Sequence, residues 1–356
     1  MNRILRRLPV FGLVAAAIAV SGPAAANCGA AVCTLNTQWE TQAVTTRSGW
    51  RFDAAYEFIE QDQARSGTDD LDDDEIPREH GIVLTVSRTV KLTAAYSAGR
   101  DWGVTATLPI VNRRNRIITP PEESAGTGGV TVTPVAAAGG GVGALPRRDA
   151  GVAPLHAGHD HGPSGGVDSW EFTRPGDLRV LGRLGIGGRS AGVLVGLKLP
   201  TGPFGFTNDE GFRLERSLQA GTGTADSLLG AYYSYTHPVS PHGFFAQALW
   251  QHALYERSGY QPGDSLGLDL GYRYALTGSI GLALQVNTLI RDRDDGEEAE
   301  PADTGSEQVM VSPGVSFQPV QRVQLYAFAQ LPVYRRVNGI QEVSDYDLAG
   351  GVSLRF

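Results

Sequence analysis

The stretch Trp50-Arg51-Phe52-Asp53-Ala54-Ala55-Tyr56-Glu57-Phe58 decides the fold. Trp50, Phe52, Ala54, Tyr56 and Phe58 alternate with Arg51, Asp53, Ala55 and Glu57. An extended chain therefore puts an aromatic face on one side and a charged face on the other, whereas a helix would mix the two sets. The same period of two recurs at Val90–Tyr96, Trp102–Ile110, Leu178–Ile186, Val193–Leu199, Leu228–Tyr235 and Phe244–Leu254. It continues at Leu266–Tyr274, Ile280–Ile290, Val309–Phe317, Val323–Val333 and Tyr346–Phe356. Twelve strands are predicted.

The connections between these strands alternate in length. Long polar segments follow the odd strands: 60–80, 113–174, 200–225, 256–264, 292–305 and 336–345. Short turns follow the even ones: Ala98–Asp101, Gly187–Ser190, His237–His242, Thr277–Ser279 and Pro319–Arg322. Short turns on one side and long loops on the other are the signature of an outer-membrane barrel, with the turns and both termini in the periplasm. A soluble β-sandwich also alternates. Here, however, Trp50, Phe58, Tyr96, Trp102, Tyr272, Tyr274, Phe317, Tyr346 and Phe356 cluster near strand ends, as interfacial girdles do. The predicted fold is all-β, a transmembrane antiparallel β-barrel of about 12 strands with long extracellular loops.

Composition agrees. Of 356 residues, 46 are Gly and only 19% are charged, which suits an ordered, turn-rich chain. Thirty Lys and Arg against 38 Asp and Glu give a net charge of -8, so no basic excess exists to neutralise the phosphates of a nucleic acid. Residues 1–26 read as a signal peptide: Arg3, Arg6 and Arg7, then the apolar run Leu8 to Val20, then Ala24-Ala25-Ala26. That run is shorter than the roughly 20 residues that a membrane-spanning helix needs. Residues 27–47 then form a periplasmic N-terminal segment and 48–356 the barrel, interrupted by a partly disordered extracellular loop at 113–174. Cys28 and Cys33, the only cysteines, are expected to join in an intramolecular disulfide in an oxidising compartment. Acylation of Cys28 is the alternative, and Asn27 is a poor residue to precede it.

Residues 123–168 are rich in Gly, Ala, Val and Pro and carry His156, His159, Asp160 and His161. Imidazoles at that density can chelate copper or zinc without a preformed scaffold. The same stretch also reads as a solvated polar loop. Two acidic runs, Asp69 to Glu75 and Asp292 to Glu300, lie in predicted outer loops. The first lacks the central Gly of a calcium loop. Both read as solvated faces, bridged to anionic lipopolysaccharide by divalent ions.

If the apolar faces meet lipid, the opposite positions line the lumen: Arg51, Asp53, Glu57, Lys91, Asp177, Arg179, Arg183, Lys198, Asp269, Arg273 and Asp347, with Arg355 and the amides of Gln247, Gln251, Gln285, Asn287, Gln308, Gln324 and Gln330. Charges of both signs must pair across the barrel or meet water. Eight strands leave an interior filled by side chains and sixteen leave an aqueous channel, so twelve allow a narrow or closed pore. No catalytic residues are predicted. His252 sits near Trp250 on the lipid side with no Ser in its strand, and no phosphate-binding Gly loop opens a helix.

Lys198-Leu-Pro-Thr-Gly202 at a strand end, Gly221-Thr-Gly-Thr-Ala-Asp226 opening the next, and a last strand ending in Phe356 resemble a known group. Over roughly residues 170 to 356 the chain is similar to the outer-membrane proteins of the putative MetA-pathway of phenol degradation family. That resemblance implies a transporter, related in role to hydrocarbon and fatty-acid uptake barrels. The expectation is a Gram-negative outer-membrane channel for small, aromatic or otherwise amphipathic solutes. Its expected partners are outer-membrane lipid, lipopolysaccharide and, through the strand ending in Phe356, the barrel-assembly machinery. A metal-handling surface protein, with the barrel anchoring the His-bearing loop, is the alternative.

Overall fold

The structure is a computed structural model that describes residues 34–42, 48–77, 80–118, 167–187, 190–208, 211 and 213–356. Its strands are β1 (Gly49–Gln61), β2 (Gln63–Gly67), β3 (Asp69–Asp70), β4 (Ile82–Ala98), β5 (Trp102–Ile118), β6 (Val167–Pro175), β7 (Leu178–Ile186) and β8 (Ala191–Leu199). They continue as β9 (Asp226–Thr236), β10 (His242–Ala253), β11 (Ser265–Ala275), β12 (Ile280–Arg291), β13 (Ser306–Val320), β14 (Val323–Val343) and β15 (Asp347–Arg355). Each strand of the wall pairs antiparallel with its neighbour in sequence, and β1 closes the ring against β15, with Phe52 opposite Leu354. The ring has twelve positions: β1, β4, β5 and β7 to β15.

Burial is inside out. Trp50, Phe52 and Tyr56 are about half exposed, while Arg51, Asp53 and Glu57 between them are buried. In water the outer belt would be penalised at roughly 25 cal/mol per Å² of apolar surface, whereas in hydrocarbon that cost vanishes. The protein is therefore an outer-membrane β-barrel. At the short-turn end the expected girdle forms. Trp50 meets Tyr96 at 5.2 Å, Tyr96 meets Trp102 at 5.5 Å, and Phe244 meets Tyr272 at 5.1 Å between ring centres.

The wall rises further than the period-two pattern suggests. Residues 113–118 and 167–174, assigned to the loop 113–174 by sequence, are strand, with Ile118 opposite Val167 and Ile110 opposite Pro175. Likewise most of 336–345 belongs to β14, whose far end pairs with β2. At 17 and 21 residues β5 and β14 exceed the roughly 9–11 that cross a membrane, so the outer faces of these extensions no longer need apolar residues. Arg114 and Glu171 form an exposed ion pair of 2.8 Å there. Between β6 and β7 the strand breaks at Gly176, whose N–H donates to the Pro109 carbonyl at 2.8 Å.

Residues 27–47, assigned to the periplasm by sequence, behave differently where they are described. Residues 34–42 lie inside the barrel, hydrogen-bonded to its inner wall. The signal peptide, Cys28, Cys33, His156, His159 and His161 fall outside the described residues.

Candidate functional site

The inner wall is charged, and the chain itself fills part of the space it encloses. Residues 36–42 coil tightly: the Gln38 N–H donates to the Asn36 side chain at 2.9 Å and the Thr41 hydroxyl to the Gln38 carbonyl at 2.8 Å. This Asx turn presents Glu40 to Arg51, which clasps both carboxylate oxygens at 2.6 and 2.9 Å. Asp53 lies 3.4 Å from the same guanidinium and accepts a 2.8 Å hydrogen bond from Tyr326. Arg273 donates to the Gln42 carbonyl. Higher in the barrel, Asn36 donates to Asp269 at 2.9 Å, Gln285 to the Asn36 carbonyl at 3.1 Å, and Gln330 to the Thr34 hydroxyl at 3.0 Å. Apolar packing adds to these bonds. Trp39 meets Tyr326 edge-on at 5.0 Å, and with Leu35 it joins Ala55, Ile59, Phe328 and Ala349 in one buried cluster. The segment is a plug near the short-turn end.

The remaining sequence-assigned lumen residues form separate groups, not one ring. Glu57 pairs with Lys91 at 2.6 Å. Lys198 sits 2.8 Å from Asp226 and 3.4 Å from Asp177. Asp177 in turn accepts the N–H groups of Gly202 and Thr222, both at 3.0 Å. The two motifs that carried the family resemblance thus dock on each other, and at Gly221 a Cβ would lie 2.3 Å from the Gly202 carbonyl oxygen. Asp347 accepts from Ser344 at 2.6 Å toward the long-loop end. Arg183, placed on the lumen face by its parity, is buried at the short-turn end, where it donates to the Ser97 hydroxyl and the Gly99 carbonyl at 2.8 Å. It also donates to the Arg100 carbonyl at 3.3 Å; Gly99 turns the chain at φ 63° and Gly185 lets the Arg100 carbonyl approach, so the guanidinium is structural. Arg179 is half-buried and donates to Gln251 at 2.9 Å.

Against the plug lies a chamber of about 240 Å³. Thr93 and Thr107 give it a hydroxyl side, Leu181, Leu228 and Leu249 an apolar side, and Leu35 and Asn36 border it from the plug. Sequence reasoning missed both the plug and this apolar patch. Segment 34–42 carries no periodicity. One of these Leu residues was legible in principle, because Leu181 falls at the parity of Arg179 and Arg183 and so must point inward with them.

At the long-loop end, segment 200–225 folds inward. Leu214 and Leu218 pack on Val83, Val111, Trp170 and Phe172. Arg216 is held between Phe204 and Tyr260, 4.4 and 5.0 Å from the ring centres, and donates to the Thr222 and Arg257 carbonyls. The acidic stretch 292–300 is not wholly solvated: Asp294 is buried, accepting from Tyr260 at 2.8 Å and pairing with Arg291 at 2.6 Å. Burial, reinforced by the charge of Asp303, pushes the Glu300 carboxyl up to about 7. Burial and the Glu300 charge raise Glu215 as well. On the other acidic run, Asp70 pairs with Arg65 on the surface. On the lipid face His252 stacks on Trp250 and meets Asp264 at 2.6 Å, while Ser227 opposite it on β9 directs its hydroxyl to the His252 backbone carbonyl.

A family model described as Putative MetA-pathway of phenol degradation matches residues 66–337. No curated relative matches the chain. Among solved structures, an outer membrane channel from Pseudomonas putida F1 superposes with a TM-score of 0.56 at 13% identity, covering 89% of this chain and 98% of that one. The CymD monoaromatic hydrocarbon channel gives a TM-score of 0.39 at 10% identity, over 87% of this chain and 89% of that one. The toluene transporter TbuX of Ralstonia pickettii gives 0.40 at 10% identity, over 87% and 90%.

Proposed function

The chain belongs to the family described as Putative MetA-pathway of phenol degradation, and from that premise we propose that it is an outer-membrane channel for small aromatic or otherwise amphipathic solutes. The observation that carries this reading is the chamber inside the wall, about 240 Å³, with apolar and polar sides and bordered by the plug. A general porin would have an open aqueous lumen, whereas here the loops fold in from one end and residues 34–42 fill the other. The Pseudomonas putida F1 protein of matching fold is an outer membrane channel. Passage runs from the long-loop end into the chamber and out beside the plug, so the bonds of Glu40 and Asn36 must yield. The inward charges of Arg51, Asp53, Glu57, Lys91, Arg179 and Asp269 line that path and set which solutes pass. The anchored-loop alternative gains nothing from the described residues.

The test is swelling of liposomes that contain the purified barrel, with phenol-sized amphipathic solutes against sugars of greater bulk. Swelling with the former and little with the latter is expected. A folded barrel that passes neither, and conducts no ions, would overturn the reading.

A further inference from the structure

Of the three cations that line the chamber, Arg51, Lys91 and Arg179, one stands apart. Arg51 clasps Glu40, Lys91 pairs with Glu57, and Lys198 pairs with Asp226. Arg183 and Arg273 are taken up by backbone carbonyls. Among the described residues Arg179 makes no ion pair and one hydrogen bond, the 2.9 Å donation to Gln251. Gln251 itself donates to Asp226 at 2.5 Å. Asp226 already holds Lys198 and the Thr224 hydroxyl, both at 2.8 Å, so Gln251 keeps Arg179 one residue away from that carboxylate. Most of the guanidinium's donors are left facing the chamber.

The surroundings of Arg179 define a shape. It lies opposite Thr107 in the β5–β7 ladder, and Thr107 is 3.1 Å from Thr93. Two residues on, Leu181 shares its face and packs with Leu228, with Leu249 against them. A planar fork of donors therefore borders a patch of leucines. The chamber's own carboxylates are already engaged, Asp53 by Tyr326 and Arg51, Asp269 by Asn36 and Asn287.

We infer that the chamber binds a monocyclic aromatic carboxylate, with Arg179 as the residue that reads the carboxylate and Leu181, Leu228 and Leu249 as the seat of the ring. A guanidinium matches a carboxylate with two parallel hydrogen bonds, which an ammonium cannot do. Size fits as well: an apolar cavity of about 150 Å³ takes up benzene, and this chamber, at about 240 Å³, leaves room for the charged substituent. The inference rests on the channel reading and narrows it to one substrate class.

The experiment is calorimetric titration of the purified, detergent-solubilised barrel with sodium benzoate, benzyl alcohol and benzylamine, using wild type, Arg179→Gln and Arg179→Lys. Each protein is first shown to be folded by its faster migration on a gel before boiling. Benzoate should bind roughly tenfold or more tightly than benzyl alcohol, as a charged hydrogen-bonded pair implies. Arg179→Gln should bring benzoate to the level of benzyl alcohol, and Arg179→Lys should recover part of the difference. Equal affinity for the acid and the alcohol in wild type, or undiminished benzoate binding in Arg179→Gln, would overturn the inference. If such a barrel still swells liposomes with phenol-sized solutes, the channel reading survives alone. A barrel without conductance or swelling removes the channel reading whatever the titration shows.

Discussion

At the scale of single residues, two contacts hold the plug by different physics. The Arg51–Glu40 pair is buried on both sides, so removing the carboxylate leaves a charge with only Asp53 nearby. Breaking a buried pair in this way costs about 3–5 kcal/mol. Trp39, by contrast, is held by rings, and truncating a buried aromatic costs about 3–5 kcal/mol as well. Glu40→Gln and Trp39→Ala should each raise single-channel conductance several-fold and leave the barrel folded. Conductance unchanged in both would show that the plug does not limit passage. Neither residue announced itself in the sequence. Leu35 and Trp39 lie four apart in a segment with no strand period, and Glu40 finds its partner only through the Asx turn at Asn36. Arg51, conversely, was legible as inward from its alternation with Trp50 and Phe52.

At the scale of elements, the strands in contact with lipid were readable because hydrocarbon imposes a period of two on one face. Above the lipid that constraint lapses, which is why 113–118, 167–174 and 336–343 passed for loops. Loop 200–225 is fastened by its glycines and by Asp177. Gly221→Val would drive side-chain atoms into the Gly202 backbone. It should release the loop, making Arg213 and Arg216 open to trypsin in intact cells, while wild type resists. Equal resistance of both would refute the docking of the two motifs.

Loop 292–305 should respond to pH. Glu300 has its folded value raised from about 4.5 to about 7, so its neutral form fits the fold better. Its contribution to loop stability is full below the ordinary carboxylate range and is lost as pH rises through about 7. Proteolysis of this loop should therefore speed up between pH 5 and 8, and Glu300→Gln should flatten the dependence. A wild-type loop whose cleavage rate is constant over that range would contradict the assignment.

At the scale of the whole molecule, closure of β1 on β15 leaves no free edge in the membrane, so the barrel should resist detergent until boiled and then migrate more slowly on a gel. Identical migration before and after heating would argue against a closed wall. The lumen it encloses is divided by the inward loops, the chamber and the plug, and the central claim is that solutes cross that lumen with residues 34–42 as the barrier. Single-channel recording in a planar bilayer tests this most directly, comparing wild type with a variant lacking residues 34–42. Small, brief openings for wild type and a larger, steady conductance for the deletion, reduced by benzoate added on the long-loop side, are the expected result. Equal conductance in the two proteins, or none in a deletion variant that still shows heat-modified migration, would contradict it.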